Sequence, residues 1–130
     1  MSRRKTVDEL LAEARSGLER VTPEQALEAL DDGGVLVDVR SEDEQARQGF
    51  LVPGALHIPL SVVLWRLDPD EPAGGAPVPL DARVMLICRQ GYGSSLAAAQ
   101  LRELGFANAT DVIGGTEAWI AAGLPVEPTV

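Results

Sequence analysis

Cysteine occurs once in the 130 residues, at Cys88, and its neighbours give it a chemical setting. It follows Arg83-Val84-Met85-Leu86-Ile87, an apolar run that reads as a buried strand, and it opens the loop Cys88-Arg89-Gln90-Gly91-Tyr92-Gly93. Ser94 to Leu104 then has strong helix propensity and stops at Gly105, with Ser94 or Ser95 as the expected N-cap. A thiol between a strand end and a helix start meets backbone N–H groups that have no helical partner. A glycine-rich loop there forms an anion-binding nest and favours thiolate over thiol. A free cysteine at a strand end also serves as packing. The order strand, Cys, Gly-x-Gly, helix favours the other reading, a reactive thiolate acting as nucleophile. A lone Cys excludes an internal disulfide, a paired-thiolate zinc site and arsenate reduction with an internal resolving thiol. No metal or cofactor is expected.

Other polar residues fall at strand ends on the same edge. Asp38 and Arg40 flank the end of Val35-Leu36-Val37-Asp38-Val39, where an ion pair or backbone hydrogen bonds would fix the loop crossing. His57, the only histidine, lies near the end of Ala55-Leu56-His57-Ile58, a candidate strand closed by Pro59, and reads as a hydrogen-bonded structural residue rather than a proton shuttle. Tyr92, at the tip of the cysteine loop, is an aromatic group expected to shape the entrance for an acceptor. Trp65 and Trp119 sit on short amphipathic segments and read as packing.

The elements that must position these residues alternate strand with helix. Val7, Leu10, Leu11, Ala14 and Leu18 recur at helical spacing, which predicts an amphipathic helix in residues 1–20, an extension ahead of one domain at 21–130. Thr22-Pro23-Glu24-Gln25 is a capping-box start for a helix ending near Asp32-Gly33-Gly34, and Ser41-Glu42-Asp43-Glu44 caps a shorter one. Ser61 to Leu67 predicts a helix, Thr110 to Ile113 a strand, and Gly114-Gly115 the opening of a last helix through Trp119 and Ile120. The fold class is therefore α/β, a small, mostly parallel sheet flanked by helices on both faces, with an added N-terminal helix. Asp68 to Asp81, with four Pro and Gly74-Gly75, joins a helix to a strand start. It is expected as a flexible surface loop at the N-terminal edge of the sheet, opposite the ligand edge.

Charge narrows the partners. The chain carries 11 Lys+Arg against 20 Asp+Glu, a formal net charge of -9, concentrated in residues 21–50. Nucleic acid and anionic membrane surfaces attract basic patches and are excluded as generic partners. Ser2-Arg3-Arg4-Lys5 resembles a twin-Arg start, but a charged amphipathic segment follows in place of an apolar h-region. Gly49 to Trp65, the longest charge-free stretch, is broken by Pro53 and Pro59 and is too short for a membrane span. The expected location is cytoplasmic.

From about Thr22 to Val126 the sequence resembles the rhodanese-like family of sulfurtransferases, which carry sulfur as a cysteine persulfide. The resemblance rests on an ordered set. It comprises Thr22-Pro23-Glu24, Val37-Asp38-Val39-Arg40, Pro53-Gly54-Ala55 with His57-Ile58-Pro59, the loop from Cys88 to Ser94, Gly114-Gly115 with Ala118-Trp119, and Gly123-Leu124-Pro125-Val126. It implies that Cys88 is the persulfide-carrying nucleophile and that the backbone of Arg89, Gln90, Gly91, Tyr92, Gly93 and Ser94 cradles the outer sulfur. Asp38, Arg40 and His57 are supporting residues. It further implies a small-molecule sulfur donor such as thiosulfate or a persulfide, and a thiophilic acceptor such as cyanide or a protein thiol. The rival class is a rhodanese-like binding or regulatory module without turnover.

Two departures accompany the resemblance. Gly49-Phe50-Leu51-Val52-Pro53-Gly54-Ala55 is one residue longer than the usual Gly-His-Ile-Pro-Gly-Ala and lacks its His. The usual loop, Cys-x-x-Gly-x-Arg, has Gly93 in the place of its Arg, and Arg89 is the candidate replacement for binding an anionic donor. Related cysteine phosphatases use Cys-x5-Arg, whose Arg grips phosphoryl oxygens in a bidentate fork. That position holds Ser94, which argues against phosphate-ester hydrolysis.

Overall fold

The computed structural model describes residues 3–71 and 78–129. Three helices start with the same device. Thr6 opens α1 (Val7–Ser16), Thr22 opens α2 (Pro23–Asp31) and Ser41 opens α3 (Glu42–Gln48). In each, the hydroxyl accepts the N–H three residues on, while the Glu or Gln there accepts the cap residue's own N–H. Arg3 adds a 2.7 Å ion pair to Glu9 of α1. The Arg3 guanidinium, with the Thr6 N–H, holds the Glu9 carboxyl down to about 2.

Four strands form one parallel sheet: β1 (Val35–Asp38), β3 (Leu56–His57), β4 (Val84–Ile87) and β5 (Thr110–Asp111), in the order β3-β1-β4-β5. The register puts Asp38 opposite both His57 and Ile87, and Leu86 opposite Asp111. The C-terminal ends are therefore level, and Asp38, His57, Cys88 and Asp111 share one edge. Helices α4 (Val63–Leu67) and α5 (Gly93–Glu103) lie in the crossovers before and after β4, and α6 (Gly115–Ala121) follows β5.

Alternate strand residues point to opposite faces, so each face acquires its own core. Val37, Val84 and Leu86 pack with Val63 and Leu67 of α4 and with Ala97, Ala98 and Leu101 of α5. Leu36, Met85 and Ile87 pack on the other side with Ala26 and Ala29 of α2 and Trp119 of α6. Every residue of β4 is buried, as a central strand covered on both faces requires. Each large aliphatic side chain buried this way contributes about 1.5–3 kcal/mol.

Several boundaries differ from expectation. The helix predicted from Ser61 starts at Val63, because Val62 donates its N–H back to the carbonyl of Pro59 and closes a turn first. The strand predicted from Thr110 to Ile113 ends at Asp111, and Val112 continues only as a single parallel bridge to Val21. A small antiparallel ribbon pairs β2 (Phe50–Leu51) with β6 (Glu127–Pro128). It was not anticipated, since two-residue strands carry no period and Pro128 argues against a strand. Asp81 receives a hydrogen bond from Asn108 at 2.9 Å, which places that flank of the 68–81 segment at the N-terminal edge, beside the connection entering β5. The flexible loop expected over 68–81 lies in part outside the described residues, at 72–77.

Candidate active site

Cys88 follows directly on β4, and its partly exposed Sγ receives the Gly91 N–H at 3.1 Å and lies 3.2 Å from the Ser94 hydroxyl. The short loop between turns sharply at Gly91 (φ +86), where an added Cβ would come within 2.9 Å of the Gly114 nitrogen. Only glycine takes that backbone at no steric cost.

The loop's carbonyls are tied to donors from elsewhere. The first turn of α6 supplies two, Thr116 N–H to the Cys88 carbonyl at 2.8 Å and Glu117 N–H to the Arg89 carbonyl at 3.1 Å. Gly115 makes this approach possible, because any side chain there would collide with the Cys88 carbonyl. Ser95 N–H holds the Tyr92 carbonyl at 3.1 Å. The Gly91 carbonyl accepts from two guanidinium groups, Arg15 at 2.6 Å and Arg20 at 3.1 Å. With these four oxygens engaged, the peptide planes are fixed and the loop keeps N–H groups for an anion.

Neither serine caps α5. The N-cap is Tyr92, without a side-chain hydrogen bond, and the helix begins at Gly93. Ser94 and Ser95 lie inside the first turn, and each donates its hydroxyl to Oδ2 of Asp111 at 2.7 Å. Asp111 is completely buried, so its carboxylate needs donors, and Arg20 completes the set through Nε to Oδ1 at 2.8 Å. Ser94 thus has one proton and two neighbours that can take it, the Asp111 carboxylate and the Cys88 sulfur. While it donates to Asp111 it accepts from the thiol. Once the sulfur is ionised, the hydroxyl can turn toward it, and Asp111 keeps Ser95 and Arg20.

Asp38, Arg40 and His57 form a separate group at the ends of β1 and β3. Arg40, a buried side chain, grips Asp38 through Nε (3.0 Å) and Nη2 (2.7 Å) and also donates to Gln48 and to the Phe50 carbonyl. His57 Nε2 lies 2.7 Å from the Arg40 carbonyl. These bonds fix the crossing from β1 through α3 to β2, and Gln48 Oε1 also accepts from the Thr116 hydroxyl of α6 at 2.9 Å. Arg89 points along the surface, in a 3.0 Å ion pair with Glu117 of α6, both side chains about half exposed. Gln90 and Tyr92 are exposed at the loop's rim, and Gly91 and Ser94 are buried. Trp119 is core, its Nε1 donating to the Pro125 carbonyl, whereas Trp65 is exposed. Among the described residues no cluster of three or more His, Cys, Asp or Glu is placed to hold a metal.

Sequence reasoning missed Arg15, Arg20 and Asp111, and gave Ser95 only as a helix cap. Arg20 and Asp111 lie 91 positions apart, and no local pattern joins them. A buried Asp at a strand end predicted beside the cysteine loop was the one available signal.

Residues 22–122 match the rhodanese-like domain family. The chain belongs to that family. Among rhodanese-like relatives it is 36% identical to the thiosulfate sulfurtransferase GlpE of Pseudomonas entomophila, over 80% of this chain and 86% of that protein. A sulfurtransferase of Allochromatium vinosum is 34% identical over 71% of this chain and 77% of its own length. Among solved structures, a Rhodopseudomonas palustris protein described as of unknown function and a possible tyrosine phosphatase superposes with a TM-score of 0.84. It is 28% identical and covers 98% of both chains. In the rhodanese-like chain described here, Ser94 occupies the place of a phosphatase's arginine and is spent on Asp111, so no side chain there forks a phosphoryl group.

Proposed function

We propose that this chain is a rhodanese-type sulfurtransferase that moves sulfane sulfur through a persulfide on Cys88. The observation that carries the reading is the sulfur's surroundings: the Gly91 N–H at 3.1 Å, the Ser94 hydroxyl at 3.2 Å, and a loop whose carbonyls are engaged elsewhere. A thiolate in this setting attacks the sulfane sulfur of a donor such as thiosulfate. The new Cys88 S–S bond forms as the donor's S–S bond breaks, and sulfite leaves with the bonding electron pair. The outer sulfur of the persulfide then carries negative charge within reach of the loop N–H groups and the start of α5, which are oriented before the reaction begins. An acceptor, cyanide or a protein thiol, attacks that outer sulfur and leaves with it, and the electron pair of the S–S bond returns to Cys88 as thiolate. Atoms and electrons balance without metal or cofactor.

Arg89 takes part as a rim residue. An exposed ion pair contributes at most about 1 kcal/mol, so an anionic donor can displace Glu117 from it at small cost. Asp38, Arg40 and His57 support the neighbouring loop crossing. We place the protein in the cytoplasm, in keeping with its acidic charge and with the finding that no described helix is long and apolar enough to cross a membrane. Steady-state kinetics with thiosulfate and cyanide test the reading. Parallel double-reciprocal lines are expected for a two-stage transfer, and intersecting lines would indicate a ternary complex instead.

A further inference from the structure

The Gly91 carbonyl draws together two side chains from outside the span that matches the family. Arg15, near the end of α1, donates Nη2 to it at 2.6 Å and Nε to the Ser95 hydroxyl at 3.0 Å, and its guanidinium lies 5.8 Å from the centroid of the Tyr92 ring. Arg20, in the connection to α2, donates to the same carbonyl while pairing with Asp111. We propose that residues 3–20 belong to the catalytic apparatus, with Arg15 and Arg20 as positioning residues that hold the Gly91–Tyr92 peptide so that the loop's N–H groups face the sulfur. This proposal rests on the sulfurtransferase reading of Cys88.

The peptide after a glycine at positive φ can rotate with little steric resistance, and a flip would swap an N–H for a carbonyl oxygen in a loop that must face an anion. In a trans peptide the C=O and N–H point in opposite directions, so fixing the Gly91 oxygen also fixes the Tyr92 N–H. Two charged donors on one oxygen make that orientation hard to reverse. Charge points the same way. Arg20 is balanced by Asp111, whereas Arg15 has no carboxylate partner among the described residues, so the pair leaves one net positive charge behind the loop. That is the kind of charge the arginine of a Cys-x-x-Gly-x-Arg loop would carry, and here Gly93 stands in its place.

The attachment of α1 agrees. No residue of this helix is buried, although it packs along α5, so Arg15 gives it a polar anchor at the loop in place of a core contribution.

The test compares full-length wild type with Arg15→Ala and Arg15→Lys. Arg15 is the informative position, because removing Arg20 also strips Asp111 of its cation. In Arg15→Ala, kcat for sulfur transfer is expected to fall on the order of tenfold or more while KM for thiosulfate changes less than about threefold. Arg15→Lys, which keeps the charge but not the fork, should recover part of the loss, and the melting temperature should move only a few degrees. Alkylation of Cys88 by iodoacetate and iodoacetamide supplies a readout that needs no sulfur chemistry. Arg15→Ala should slow the anionic reagent more than the neutral one. Should wild type take up no sulfur and Arg15→Ala still lose its preference for the anionic reagent, the sulfurtransferase reading falls and the positioning role stands. Unchanged kcat together with an unchanged alkylation ratio would overturn the role.

Discussion

Asp38 is paired by an arginine two residues away, whereas Asp111 is paired by one 91 residues earlier in the chain. Both carboxylates are buried at C-terminal strand ends, and both are gripped through Nε and Nη2. The difference lies in where the remaining donors go. Arg40 spends its own on Gln48 and the Phe50 carbonyl, so that site holds a crossing and meets the cysteine loop only indirectly, through the Thr116 hydroxyl on Gln48. Arg20 gives its spare donor to the Gly91 carbonyl, and Asp111 gathers two serines of the helix that begins beside Cys88. The same chemical pair is thus a structural clasp in one place and part of a reactive loop's scaffold in the other.

The largest effect that separates them is on stability. Arg40→Ala removes the cation from a buried Asp38 carboxylate, which keeps only the Gln45 amide and the residue-40 N–H as donors, and should cost about 3–5 kcal/mol in urea unfolding. Arg20→Ala should cost clearly less, about 2 kcal/mol, because its side chain is 16% exposed where that of Arg40 is fully buried, yet it should lower sulfur transfer strongly. Equal losses of stability with retained turnover in Arg20→Ala would erase the distinction. Asp111→Asn probes the acceptor itself, at some loss of stability because Arg20 loses its carboxylate. It preserves shape but weakens the acceptor for Ser94 and Ser95, and a fall in kcat of about tenfold is expected with thiosulfate as donor. A smaller change comes from Ser95→Ala, which removes one of three partners of Asp111 and should cost about 1 kcal/mol of stability. Smallest is Arg89→Ala. Unfolding should shift by less than about 0.5 kcal/mol, while KM rises more for thiosulfate than for an uncharged persulfide donor. Equal effects on both donors would assign Arg89 to the surface ion pair alone.

The contrast also explains what could be read in advance. Asp38 and Arg40 are visible in sequence because a strand end brings residues i and i+2 together, and Cys88 is visible because a loop with two glycines follows a strand of four apolar residues. Capping boxes at Thr22 and Ser41 are equally local, and the helices begin where they say. Arg15 and Arg20 were hidden in an ordinary amphipathic pattern, since nothing local tells a solvent-facing arginine from one that crosses to another element. Ser94 and Ser95 looked like helix caps because hydroxyls at a helix start usually are. A buried carboxylate at the end of β5 outbid the backbone for them, and only the sheet register brings it close. The β2–β6 ribbon escaped for a related reason, two residues on each side being too few to show a period.

A persulfide held on Cys88 is the central claim. Intact-mass measurement after incubating the protein with thiosulfate should show the gain of one sulfur atom, reversed by cyanide with release of thiocyanate, and no gain in Cys88→Ser at nearly unchanged thermal stability. Wild-type protein that gains no sulfur, or a Cys88→Ser variant that still does, would contradict it.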